Sequence, residues 1–91
     1  MKFTLSKELT IKGELVKEVE LDFDSLTGHD LTNAEKEARI AGEVNPMINF
    51  SMKYQAAIAA KLLGITYDDV LDLPAVDFSK LTMAVGNFLI S

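Results

Sequence analysis

The stretch from Ser51 to Gly64, SMKYQAAIAAKLLG, constrains the fold more than any other part of the chain. It reads as a helix with almost no polar surface. Lys53 and Lys61 stand eight residues apart with Ala57 between them, which leaves one narrow stripe for water. Tyr54, Ile58 and Leu62 recur at i, i+4 and i+8 on a second face, and Met52, Ala56, Ala59 and Leu63 form a third. A helix that is apolar around most of its circumference is either enclosed by its own domain or shared with a partner. Ala56, Ala57, Ala59 and Ala60 allow close helix packing, and about half of these residues are expected in a tight core. In so small a domain the helix is not expected to find neighbours on every side. Part of its surface, with Met52 or Tyr54, is therefore expected to meet another chain.

The length limits what else is available. The 91 residues predict a single domain, residues 1–91. A chain of this size buries only about 60–65% of its unfolded surface, so some apolar surface can be reserved for partners. The formal net charge of −5 argues against nucleic acid, whose phosphates need a basic face, and against an anionic membrane. Without cysteine, neither a disulfide framework nor a thiolate metal site can form. The start, MKFTLSKELT, lacks the apolar core of a secretory signal, and the longest strictly apolar run, Ala56 to Ala60, is far too short to span a bilayer. A soluble, cytoplasmic protein is expected.

Residues 3–23 alternate with a period of two. Phe3, Leu5, Leu9, Ile11, Leu15, Val19, Leu21 and Phe23 are all odd, and the even positions are mostly polar. The pattern predicts an antiparallel β-hairpin. An odd-length loop centred on Gly13 would pair Ile11 with Leu15, Leu5 with Leu21 and Phe3 with Phe23, keeping the apolar residues on one face. A two-residue loop at Lys12-Gly13 would pair odd with even positions and split that face. The expectation is therefore the odd-length loop, with a bulge or bend where Lys7 and Lys17 interrupt the pattern.

Helices follow at about 28–41, 52–63, 67–72 and 75–89. The first opens either on a capping box of Thr27 with Asp30 or later, on Thr32 with Glu35. Leu31, Ala34, Ala38 and Ala41 make its inward stripe, and Glu35 and Arg39 form an i, i+4 pair. In the connector, Asn45-Pro46 marks a turn, and Met47, Ile48 and Phe50 are expected to pin it to the core. Ser51 caps the central helix, and Thr66 with Asp69 opens a short one that Pro74 ends. Phe78, Leu81, Val85 and Phe88 line the last helix. Gly86 inside it allows either a close backbone approach or a frayed end. The fold class is α+β and helix-dominated: an N-terminal hairpin followed by three to four α-helices.

No constellation of reactive groups stands out. His29 is the only histidine, and it has no second ligand at metal-site spacing. Asp68, Asp69, Asp72 and Asp77 lack the spacing of a calcium loop, and three of them suit first turns of helices, where the macrodipole favours acids. No set of acid, base and nucleophile converges, so no enzyme, cofactor or metal is expected. Met47, Met52 and Met83 suit an adaptable binding surface. The candidate protein-binding residues are Met52, Tyr54, Ala57, Ile58, Lys61, Val85 and Phe88, in a groove between the central and last helices.

Several segments together carry a resemblance. They are LDFDSLTGHDL at 21–31, AEKEAR at 34–39, YQAAIAAK at 54–61, LDLPAVDF at 71–78 and TMAVGNFL at 82–89. In this order and spacing they resemble the tail assembly chaperones of long-tailed bacteriophages and prophages, over roughly residues 8–89. His29 stands where a basic residue is expected after Thr-Gly. The resemblance implies a non-enzymatic protein of the host cytoplasm, absent from the finished virion. It would bind the tape measure protein, keep it soluble and help tail tube protein assemble around it. It also implies possible self-association and a second, frameshift-extended form, of which this chain would be the short version. The family brings no catalytic motif. The alternative from another class is a small acidic adaptor, or a subunit of a hetero-oligomer unrelated to phage tails.

Overall fold

The computed structural model describes residues 1–90. Strands β1 (Lys2–Ile11) and β2 (Glu14–Glu20) form an antiparallel hairpin, followed by α1 (Gly28–Ile40), α2 (Met52–Leu63), α3 (Tyr67–Leu71) and α4 (Ala75–Ile90). Single 3-10 turns at Phe23–Ser25 and Ile48–Phe50 precede α1 and α2. The architecture is α+β and dominated by helix.

The hairpin corrects the expected loop. Its turn has two residues, Lys12 and Gly13, both at positive φ (52° and 82°), and the first pairs are Ile11–Glu14, Thr10–Leu15 and Leu9–Val16. This mirror-image turn matches strand twist, and glycine takes its second position without steric cost. Odd does pair with even there, and the result is visible at Leu15, which is turned outward and 66% exposed. The split is repaired further along. Between Thr4 and Leu9 the register shifts, so that the pairs become Thr4–Glu18, Phe3–Val19 and Lys2–Glu20. Residues Leu5 to Glu8 stand opposite Lys17, the place where the two lysines interrupt the pattern. Phe3, Leu5 and Leu21 are thereby all buried.

The irregular stretch is also where the hairpin is fastened. The Ser6 backbone N–H donates to Asp77 Oδ1 at 2.9 Å, and the Ser6 hydroxyl donates to Oδ2 at 2.9 Å. Asp77 lies in the first turn of α4 and is only 2% exposed. A carboxylate is tolerated at such depth because both oxygens are hydrogen-bonded and the helix N-terminus favours negative charge. Asp68 and Asp69 occupy the first turn of α3, whereas Asp72 caps its C-terminal end.

The helices begin where their caps allow. The Thr27 N–H donates to Asp30 Oδ2 at 2.9 Å, so α1 takes the earlier of its two possible starts. Ala34 and Ala38 face inward, Leu31 is half-buried, and Ala41, expected on the same stripe, lies past the helix end and is exposed. Glu35 and Arg39 meet at 3.3 Å. At α2 the Ser51 hydroxyl accepts the Tyr54 N–H at 3.1 Å. The helix stops at Gly64, whose φ of 69° lets the Ile65 N–H reach back to Ala60 O at 3.1 Å. Thr66 and Asp69 complete both halves of a capping box at 3.1 and 3.2 Å.

α2 is the axis of the molecule. α1, α3, α4 and the second 3-10 turn all pack on it. The expectation of a bare face is corrected, since all four of its alanines are buried. Small side chains let short elements close in from several directions at once. On the α4 side Gly86 provides the room: a Cβ there would lie 3.0 Å from Gln55 Nε2, so close approach is the outcome rather than fraying. Phe88 is half-buried and stacks on Phe23, with centroids 4.6 Å apart.

Candidate protein-binding surface

The proposed groove between α2 and α4 is closed, because the two helices pack directly on each other. Tyr54, Ile58 and Val85 belong to the core and cannot meet a partner in this conformation. Burial pushes the Tyr54 hydroxyl above its ordinary pKa, and the nearby Glu35 adds to the effect. Met52 and Lys61 are exposed, and the half-buried Phe88 is engaged with Phe23. Ala57 is buried as a residue, yet it reaches the floor of a cleft on the other side of α2, together with Lys61.

The largest concentration of exposed apolar side chains lies where the sequence predicts anchoring. Ile40, Val44, Met47, Phe50 and Met52 all project into solvent, Val44 being 87% exposed. Of the three connector residues expected to pin the loop, only Ile48 packs against the core. The chain's four methionines, Met1, Met47, Met52 and Met83, are between 56% and 63% exposed, so none fills the interior.

This connector is nevertheless held in one shape by polar groups. Arg39 Nη1 donates to Asn45 O at 2.7 Å and to Glu43 O at 3.4 Å. Glu43 Oε2 accepts the N–H groups of Val44 and Asn45, each at 3.1 Å, while its Oε1 accepts the Ser51 hydroxyl that caps α2. Asn45 Oδ1 accepts the Met47 N–H at 2.9 Å, fixing the turn around Pro46. The Ser51 hydroxyl, then the Asn45 amide, hold the Glu43 carboxyl below its ordinary pKa. The backbone is thus tied inward by its own hydrogen bonds, and the apolar side chains point out. Val44, Met47 and Phe50 escape a periodicity argument because they lie between α1 and α2, outside any regular α-helix or strand, whereas Ile40 and Met52 are the end residues of those helices. Their one local signal is the dense run of turn-forming and apolar residues from Val44 to Met52.

A second concave feature lies between α1, α2 and the start of α3. It is a cleft of about 370 Å³, floored by Ala34, Ala57 and Ala60 and edged by Asp30, Glu37, Lys61 and Tyr67. Burial raises the Tyr67 hydroxyl pKa, and Glu37, Asp68 and Glu43 raise it further through their negative charge. His29 is exposed in the first turn of α1. Among the described residues no three His, Cys, Asp or Glu side chains are grouped to hold a metal ion. No helix among them is long and apolar enough to cross a membrane.

No protein-family model, curated protein or solved structure matches the chain.

Proposed function

We propose that this protein is a phage or prophage tail assembly chaperone that binds the tape measure protein and keeps it soluble during tail tube assembly. The observation that carries this reading is the ordered, outward-facing apolar connector from Ile40 to Met52 on a chain of net charge −5. An apolar, methionine-bearing surface adapts to a long amphipathic helix, and the acidic remainder keeps a coated filament apart by mutual repulsion. The ordered set of segments from residue 21 to residue 89 that resembles these chaperones points the same way.

Co-expression with the protein encoded immediately downstream tests the reading. The expected outcome is that a long helical protein, insoluble alone, is recovered in solution bound to this chain. It should become insoluble again when Met47 and Phe50 are both changed to Ser. Failure of both this chain and its extended form to solubilise that protein would overturn the proposal in favour of an adaptor serving another assembly.

A further inference from the structure

The cleft between α1 and α2 has a chemistry different from that of the connector. Its floor is made of alanines, too short to fill it, and its rim is charged. Asp30 sits at one end with its side chain only 20% exposed. One of its oxygens, Oδ2, is committed to the Thr27 N–H at 2.9 Å. The other, Oδ1, meets the Lys61 ammonium at a loose 3.8 Å, and the lysine side chain remains 64% exposed. A pair at that distance and exposure is worth little and opens readily. Glu37 lies two helical turns further along α1 on the same cleft wall, and the Tyr67 ring closes the opposite side.

We propose, building on the tail-chaperone reading, that this cleft is the seat for an arginine or lysine side chain carried by the bound helix of the partner. The aliphatic stem of that side chain lies on the alanine floor and against the Tyr67 ring, and its charged head reaches Asp30 Oδ1 and Glu37. Lys61 is the chain's own stand-in for that cation. It holds the carboxylate loosely in the free protein and swings into water when a partner cation arrives. The connector thus supplies apolar adhesion, and the cleft selects a basic residue and sets the register of the helix.

The test uses overlapping synthetic peptides covering the downstream-encoded protein, titrated against the full chain. Peptides that bind the wild type should carry Lys or Arg on their polar face. Asp30→Asn and Glu37→Gln should each weaken binding by about tenfold, the loss expected for one charge-assisted hydrogen bond. Lys61→Gln should tighten it, because the competing cation is gone. The Glu37 side chain makes no hydrogen bond among the described residues, and its backbone carbonyl, which accepts the Ala41 N–H, is untouched by the change, so its variant decides the matter even if Asp30→Asn loosens α1. Binding peptides that are acidic, or affinities unmoved by Glu37→Gln and Lys61→Gln, would overturn the cleft while leaving the chaperone reading intact. If no peptide binds the wild-type chain, the cleft proposal falls, and the co-expression experiment decides the chaperone reading separately.

Discussion

α2 and the connector that leads into it are neighbours in sequence and both carry large apolar side chains, yet those side chains have opposite fates. Beyond its first residue, Met52, the helix is enclosed on most sides, whereas Val44, Met47 and Phe50 of the connector stand in solvent. Apolar character therefore does not decide burial here. What decides it is the backbone. In α2 the hydrogen bonds are satisfied along the axis, and small side chains let neighbours close in from several directions. In the connector the same demand is met by Arg39, Glu43 and Asn45, which tie the main chain inward, and of its large apolar side chains only Ile48 turns to the core.

The contrast can be broken most severely at its buried end. Ile58→Ala should cost about 2–5 kcal/mol in urea or thermal unfolding, the range for deleting a buried aliphatic side chain from a packed site. A loss under 1 kcal/mol would mean that α2 is less enclosed than described.

Next in size is the fastening of the hairpin. Asp77→Ala should cost about 1–3 kcal/mol, because it strands the Ser6 N–H beside α4. Amide exchange should speed up first in β1 and β2, while α1 and α2 keep their protection. Uniform acceleration throughout the chain would argue that the hairpin is not held separately.

Glu43 offers a smaller test, on the connector itself. Its folded-state pKa lies below its ordinary value of 4.5, so its contribution is fully present above pH 4.5 and is lost as pH falls through the folded value. Glu43→Gln should lower stability at neutral pH and leave it near wild type at pH values below the folded-state pKa, so that the acid limb of the stability curve flattens. An unchanged acid slope would show that the Ser51 and Asn45 contacts do not order this loop.

The smallest effects should come from the outward apolar residues. Leu15→Lys and the paired change Met47→Ser with Phe50→Ser should each leave stability within about 0.5 kcal/mol of wild type, as surface substitutions do. Leu15 is the sharper case. The odd-position alternation assigns it to the core and the register turns it out. A large loss at Leu15 would restore the loop that parity predicts.

The sequence alone determined the elements and their ends. Period-two alternation marks the hairpin, 3.6-residue stripes mark the helices, and Thr27, Ser51, Thr66, Gly64 and Pro74 mark where helices start or stop. Capping and periodicity act within a few residues, so they are legible locally. Only the tertiary structure decided the register, the covering of α2 and the exposure of the connector. The irregular stretch that brings Phe3 and Leu5 into the core is fastened to Asp77, which lies 71 residues beyond Ser6. Nothing near residue 6 announces that partner. For the same reason the expected binding residues Tyr54, Ile58 and Val85 are enclosed and Val44 is not. An apolar surface is buried only when a distant element happens to lie against it, and that depends on the assembled fold rather than on the residues beside it.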